Sequence, residues 1–295
     1  MLRKIRRLFI YALTRFLFGT LRLLPLDAAS AIGGWLGRTL GPLLPFTRRA
    51  DTNLQIAFPA MPKEERDRIV RAMWDNLGRT FAEFPHLDTR EMSTRIHVEG
   101  TEIVDAFLAS GKPGIFISGH FANWEIIPKT AADYGISLQL VYRPANNPYV
   151  DALVQRMRGA THGGLVAKGR RTGMAILQFL KEGKHIGMLV DQKMNQGIAV
   201  PFFGHDAMTS PVVVTFALRR EAVVLPVWVE RTKGCRFTLH VHPPLEIPAT
   251  GDREKDIYNG TAQINALLES WIRRDPKQWF WLHRRWGKMA TSAAV

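Results

Sequence analysis

The chain predicts an α/β fold, with a mostly parallel central sheet flanked by helices and an N-terminal hydrophobic helical segment ahead of it. Three observations predict it. Short β-rich runs such as Gly114–Ser118 (GIFIS), Leu138–Tyr142 (LQLVY) and residues 186–190 alternate with helical stretches, the pattern of parallel strands joined by crossover helices. Apolar residues make up 46% of the 295 positions and charged ones 22%, which is enough apolar material for a real core and too much for a basic disordered tail. The first fifty residues also differ in texture from the rest, interleaving basic groups with Leu, Phe and Ile.

The elements follow in chain order. In residues 2–26 the polar positions Lys4, Arg7, Tyr11, Arg15 and Arg22 recur at spacings of three, four or seven, which places them along one helical stripe opposite the apolar residues. Such a helix suits a membrane surface, because Lys and Arg reach anionic headgroups while Leu and Phe enter the acyl boundary. Arg15 and Arg22 interrupt a span of about 20 apolar residues, so the interfacial reading leads and a shallow single pass is the alternative. No clean A-x-A cleavage site follows the short apolar run, so a cleaved signal peptide is not expected. A docked helix of a soluble domain is the bland alternative, opposed by the lack of any acid before Asp27. Residues 28–46 are a second apolar stretch broken by Gly33, Gly34, Gly37, Gly41 and Pro42, small enough for close helix packing. Residues 1–50 therefore form the expected membrane-associating segment, and residues 51–295 the main domain.

Residues 62–84 read as an amphipathic helix: KEERDR supplies a charged first turn, then Ile69, Met73, Leu77 and Phe81 fall at four-residue spacing. Helices are also expected over residues 126–134, 148–158, 173–181 and 212–220, and strands over residues 222–229 and 237–242. In such folds reactive groups gather beyond the carboxyl ends of strands, so the loops after Ser118, Tyr142 and Val190 carry the chemistry.

Charge and cysteine content narrow the function. The formal net charge is +14, from 40 Lys and Arg against 26 Asp and Glu. Residues 1–50 hold nine basic groups and one acid, residues 271–295 six and one, and the middle 220 residues 25 and 24. A basic nucleic-acid-binding protein is the rival class that this charge invites, but nucleic acid wants its basic stripe on an otherwise polar face. Here the excess lies beside the most hydrophobic segments, so an anionic membrane is the expected partner and nucleic acid is not. The single cysteine, Cys235, excludes a disulfide framework and a cysteine-based zinc site.

The loop after GIFIS reads Gly119-His120-Phe121-Ala122-Asn123-Trp124-Glu125, a strand, a glycine turn and a helix start. Glu125 lies five residues beyond His120, about 140° around an ideal helix, and the turn ahead of the helix lets the two side chains meet. A carboxylate on one imidazole nitrogen fixes the tautomer and leaves the other nitrogen to take a proton from a hydroxyl. No Ser or Cys sits beside the histidine, so the substrate's own hydroxyl is the expected nucleophile; a hydrolase activating water is the alternative. Metal binding is a weaker rival: the spacings of His162, His185 and His205 match no zinc pattern, and neither a metal nor a cofactor is expected. Asn123, backbone amides at the helix start and Arg158 are the candidate hydrogen-bond donors to charge that develops on a substrate oxygen. From Arg156 to Lys193 eight basic residues (Arg156, Arg158, Lys168, Arg170, Arg171, Lys181, Lys184 and Lys193) face two acids, a patch suited to phosphates or to an acidic protein. Lys181 and Lys184 read better as solvated, whereas Arg143, after a strand and before Pro144, is a site-loop candidate. Trp271, Trp279, Trp281 and Trp286 stand among arginines in the tail, where a membrane interface, single-stranded nucleic acid and the core are competing destinations.

The GHFANWE heptad resembles the H-x4-D/E motif of the glycerolipid acyltransferase superfamily. Further blocks resemble one branch of it, the lauroyl/myristoyl late acyltransferases of lipid A biosynthesis in Gram-negative bacteria: Asn53-Leu54, Ala57-Phe58-Pro59, the run from Tyr142 to Pro148 (YRPANNP), Val190-Asp191-Gln192, Pro201-Phe202-Phe203-Gly204, and the run from Pro276 to Trp286 (PKQWFWLHRRW). The likeness covers nearly the whole chain. It implies acyl transfer from an acyl carrier protein thioester to a hydroxyl of a lipid A precursor at the cytoplasmic face of the bacterial inner membrane, with another glycolipid or a lysophospholipid as the alternative acceptor. It further implies His120 as general base, Glu125 as its partner, and Arg158 and Asp191 as functional residues. Where the family often has an acidic pair, this chain reads DQKMNQG. Arg143, Asn123, Lys168, Arg170 and Arg171 complete the expected substrate-binding set.

Overall fold

The computed structural model describes residues 2–159, 163–169 and 172–287. The described chain opens with the helices α1 (Leu2–Leu23), α2 (Leu26–Leu40), α3 (Thr47–Ala57) and α4 (Lys63–Glu83). There follow α5 (Arg90–Thr94), β1 (Ile96–Glu99), α6 (Thr101–Ala109), β2 (Gly114–Ser118), α7 (Ile126–Asp133), β3 (Leu138–Tyr142), α8 (Pro148–Arg158), β4 (Gly164–Ala167), α9 (Thr172–Lys181) and β5 (His185–Leu189). The hairpin β6 (Ile198–Phe202) and β7 (His205–Thr209) precedes α10 (Val212–Arg220), β8 (Val223–Lys233), β9 (Arg236–Val241) and the long α11 (Arg253–Arg274).

The seven-stranded sheet has the order β1-β9-β8-β2-β5-β3-β4, and the β8–β9 pair is its antiparallel step. β2 therefore sits centrally, all five of its residues buried. Its side chains alternate between two cores, as the two-residue period requires. Ile115 and Ile117 face the core built with α9, α10, α11 and the tail, while Phe116 faces the one built with α6 and α7. The four tail tryptophans are buried in the first of these cores, so they do not line a membrane surface or a base-stacking face.

On α4, Ile69, Met73 and Leu77 are buried but Phe81 is 60% exposed, contrary to the expected four-residue stripe. Each four-residue step overshoots a helical turn by about 40°, so after three steps Phe81 has rotated about 120° from Ile69 and out of the core. The opposite side of α4 packs on α2 through a glycine seam. A Cβ on Gly37 would lie 2.1 Å from the Trp74 carbonyl oxygen, and one on Gly78 would lie 2.1 Å from that of Gly33. Leu26, Ala29 and Ser30 of α2 are consequently fully buried.

α1 behaves differently: none of its residues is buried. Its inward side rests on the domain through Phe18 against Phe84, Tyr11 against Tyr149, and Asn147 Nδ2 donating to the Arg7 carbonyl at 2.8 Å. Leu2, Ile5, Phe9, Leu13, Phe16 and Leu17 point away, and Trp35, Leu43, Phe46 and Phe81 are exposed as well. The basic residues of α1 are exposed alongside the apolar ones, so α1 differs from a docked core helix by burying no apolar face. Among the described residues no helix is long and apolar enough to cross a membrane, so the single-pass alternative is not supported.

The glycine seam carries a stability expectation. Gly37→Val forces α2 off α4, an overpacking that costs about 1–3 kcal/mol. A thermal melt is expected to show a Tm lower by several degrees, and an unchanged Tm would contradict the close contact.

Candidate active site

The sheet register assembles the site. Ser118 on β2 pairs with Leu189 on β5, and Val190 N donates to the Ser118 carbonyl at 2.8 Å, so the two strands leave the sheet side by side. Two residues past each partner stand His120 and Asp191. Residues 71 apart in sequence thereby become neighbours at the carboxyl edge, where parallel sheets collect their chemistry.

Asp191 is fully buried and grips His120 twice. Its Oδ1 lies 2.8 Å from His120 Nδ1, and its Oδ2 accepts the His120 backbone N–H at 2.8 Å. Oδ2 also accepts Trp279 Nε1–H at 2.8 Å. Burial alone pushes the Asp191 carboxyl up, but the fields of His120 and His283 and the hydrogen bonds from His120 pull harder, so it lies well below the ordinary carboxylate range. An ionised carboxylate only accepts, so in the neutral imidazole Nδ1 carries the proton and Nε2 presents a lone pair. Gln192 Nε2 stands 3.4 Å from that nitrogen. A glycine is needed at position 119, where a Cβ would meet the Phe121 ring at 2.7 Å and Asp191 Oδ2 at 3.2 Å.

The tail closes the other side. Phe280 N donates to the His120 carbonyl and Ala122 N to the Gln278 carbonyl, each at 3.0 Å, so residues 278–280 run like a short strand along the loop. Trp124, Phe280 and His283 surround the imidazole, with ring centroids 4.9, 6.0 and 4.6 Å from it. Burial pushes His283 down to about 4, so it is neutral near pH 7, and its Nε2 is buried without a hydrogen-bond partner. His120, Asp191 and His283 bring donor atoms within 4.8 Å of one another. Both Asp191 oxygens already accept N–H groups, and the positive charge of Arg285 acts on His283, so the trio suits hydrogen bonding better than holding a cation.

The expected His120–Glu125 pairing is replaced. Glu125 holds Arg158 in a two-point ion pair, with Nε to Oε2 at 2.8 Å and Nη2 to Oε1 closer still, and its Oε1 also accepts Trp124 Nε1–H. The place intended for Glu125 belongs to Asp191. Glu125 is the residue just before α7, on the far side of the Phe121-Ala122-Asn123-Trp124 turn, and its carboxylate is turned toward α8. Asn123 also departs from expectation as an oxyanion donor: it is 0% exposed, and its Nδ2 donates to Glu83 Oε2 at 2.8 Å. Arg143 and Lys168 are exposed just beyond β3 and β4, which run parallel to β2. Arg170 and Arg171, like His162, lie outside the described residues.

Sequence reasoning missed what holds the loop. Glu83, fully buried at the end of α4, pairs with Arg231 of β8 and accepts from Ser30 Oγ as well as from Asn123. Arg231 Nε reaches Asn76 Oδ1, whose own Nδ2, together with Thr80 Oγ1, holds the Ala122 carbonyl. Ala122 has φ 45°, a left-handed conformation that a residue with a Cβ adopts only when its surroundings fix it. The one legible signal was an acid, Glu83, placed where α4 turns inward next to Ala82 and Phe84.

A histidine with a ring nitrogen free to accept, a buried carboxylate behind it and no nucleophile on its own loop form an arrangement chemically suited to taking a proton from a bound hydroxyl. Comparison with known sequences gives the class. The family described as bacterial lipid A biosynthesis acyltransferase matches residues 2–288, and the chain belongs to it. The chain is similar to the lipid A biosynthesis lauroyltransferase of Escherichia coli (strain K12), 28% identical over 265 residues that cover 85% of this chain and 83% of that protein. It is similar to the palmitoleoyltransferase of the same organism at 25% over 268 residues, again 85% and 83% of the two chains. A lipid A biosynthesis acyltransferase of Haemophilus influenzae is 24% identical over 276 residues, 89% of this chain and 82% of that one. The protein is an acyltransferase.

Asp191→Asn is expected to lower kcat by about 10²–10⁴ fold, because the amide neither fixes the tautomer nor steadies the imidazolium. The sign of the pH effect follows from a depressed folded pKa: the carboxylate's stabilisation is complete above about pH 4 and is lost as pH falls below it. The Tm gap between wild type and Asp191→Asn should therefore shrink on acidification below about pH 4, and a constant gap would contradict the assignment.

Proposed function

We propose that the protein performs a secondary acylation, transferring an acyl chain from an acyl carrier protein thioester to a hydroxyl of a lipid A precursor. The observation that carries the mechanism is His120 Nε2, left as an acceptor because Nδ1 is committed to Asp191. The acceptor hydroxyl gives its proton to Nε2 while its oxygen bonds to the thioester carbonyl carbon. The carbonyl electron pair moves onto oxygen, and when it returns the C–S bond breaks. The imidazolium then protonates the departing thiolate, which restores the base and closes the balance. Asp191 steadies that imidazolium from a buried position, where its charge acts most strongly. Glu125 and Arg158 form the second charged element of the edge, tying α7 to α8 beside the reacting atoms.

The acceptor's phosphates fit the exposed cations Arg143 and Lys168 on the same edge, with Arg170 and Arg171 following Lys168 two and three residues on in sequence. Association with an anionic membrane through α1 is supported by its outward apolar side and its six Lys and Arg residues. On this reading the protein works as a peripheral enzyme at the cytoplasmic face of the inner membrane.

The test is an assay of purified protein with acyl carrier protein thioesters of several lengths against a tetra-acylated lipid A precursor, a lysophospholipid and a mannosylated phosphoinositide. Mass analysis is expected to show one added acyl chain on the lipid A precursor. His120→Ala is expected to cut the rate about 10²–10⁴ fold without a change in fold. Release of free fatty acid with no acylated product would replace transfer by hydrolysis, and wild-type turnover in His120→Ala would remove the base. Deletion of α1 should also shift the protein off vesicles containing anionic lipid; undiminished binding would contradict the membrane role.

A further inference from the structure

An oxyanion needs hydrogen-bond donors about 2.7–3.1 Å from the position its oxygen will take. The donors that the sequence offered are engaged elsewhere: Asn123 Nδ2 is spent on Glu83, and the Arg158 fork is held by Glu125. The loop's backbone amides are largely spent too. His120 N–H goes to Asp191, Phe121 N–H to the Gly119 carbonyl, Ala122 N–H to the Gln278 carbonyl and Glu125 N–H to Asn123 Oδ1.

Gln192 is placed differently. It follows the buried Asp191 directly, yet its own side chain is exposed at the carboxyl edge, with Nε2 3.4 Å from His120 Nε2. The imidazole tautomer sets the amide's orientation: with Nε2 of His120 a bare acceptor, the carboxamide turns its NH2 group toward it, because its oxygen would place two lone pairs face to face. We propose that Gln192 is a catalytic residue whose carboxamide NH2 donates to the thioester carbonyl oxygen as it becomes the oxyanion. The proposal rests on the acyl-transfer reading above and adds to it the group that receives the developing charge.

The geometry suits the role. The attacking oxygen sits within hydrogen-bond reach of His120 Nε2, and the carbonyl oxygen is separated from it only by the carbonyl carbon. A donor 3.4 Å from Nε2 thus lies in the shell where the oxyanion forms. The resting contact is longer than an ordinary N–H hydrogen bond of about 2.9–3.0 Å, so an arriving hydroxyl displaces it at little cost. The displaced amide then faces the carbonyl that accompanies the hydroxyl. Gln192 takes no proton in any step: the hydroxyl proton goes to His120 Nε2 and leaves with the thiolate, and the amide supplies only a dipole. It does not titrate, so the pH profile is left to His120 and its partners.

The experiment is steady-state kinetics of full-length wild type, Gln192→Ala, Gln192→Glu and His120→Ala with an acyl carrier protein thioester and a tetra-acylated lipid A precursor, together with a thermal melt of each. Gln192→Ala is expected to lose about 10²–10³ fold in kcat, with KM for both substrates, the shape of the pH profile and Tm unchanged. Gln192→Glu is expected to be slower still, because a carboxylate repels the oxyanion that the amide stabilised. A Gln192→Ala kcat within about threefold of wild type, a loss carried by KM alone, or a Gln192→Glu variant as active as wild type would each overturn the proposal. If His120→Ala is inactive while Gln192→Ala is not, only the assignment of Gln192 falls. If wild type transfers no acyl group, the underlying reading falls with it.

Discussion

The rest of the site depends on one contact, the buried Asp191 carboxylate against His120 Nδ1. Burying an unpaired carboxylate costs several kcal/mol, so the fold surrounds this one with donors: the ring nitrogen, the His120 amide and the Trp279 indole. That requirement explains features that look unrelated. The β2–β5 register aligns the two loops, the glycine at 119 lets the backbone close on the carboxylate, and the chain from Gln278 to Phe280 returns to deliver Trp279. The tail is therefore part of the active edge.

Three carboxylates around the loop each hold a different cationic or imidazole partner: Asp191 with His120, Glu125 with Arg158 and Glu83 with Arg231. The first sets the tautomer of His120. The second links α7 to α8, and the third lies beneath the loop and, through Asn123, Asn76 and Thr80, pins the left-handed turn at Ala122. A loop held from beneath and from the tail side needs little reorganisation when substrate arrives, which favours catalysis by preorganised groups. The N-terminal helix reaches the same region, since Phe18 packs on one side of Phe84 and the Arg158 guanidinium lies over that ring. Helix α1 and the Glu125–Arg158 pair are thus one ring apart.

Local pattern was legible in the sequence and long-range contact was not. β2, β3, α8 and α10 lie where turn residues, β-branched runs and helical spacing put them, because those signals are carried by neighbouring residues. The hairpin β6–β7, the edge strands β1 and β4 and the helix α11 went unread, since edge strands are short and α11 carries a mixed polar surface. His120 was singled out by its place between a strand and a helix. Its partner was misread because sequence distance favoured Glu125 at five residues over Asp191 at 71, whereas the parallel register makes the distant residue the neighbour. The tail tryptophans show the converse: rings among arginines suggested a surface, but the arginines point outward or, like Arg285, stack over a buried ring while the indoles fill the core.

The central claim is the tautomer that Asp191 imposes on His120, and nitrogen-detected NMR of histidine-labelled protein tests it most directly. With the ring in its neutral form, the spectrum should show His120 with a protonated Nδ1 and an unprotonated Nε2, a tautomer that is lost in Asp191→Asn and kept in Glu125→Gln. A proton on Nε2 in the wild type, or a tautomer that survives Asp191→Asn and collapses in Glu125→Gln, would contradict the account.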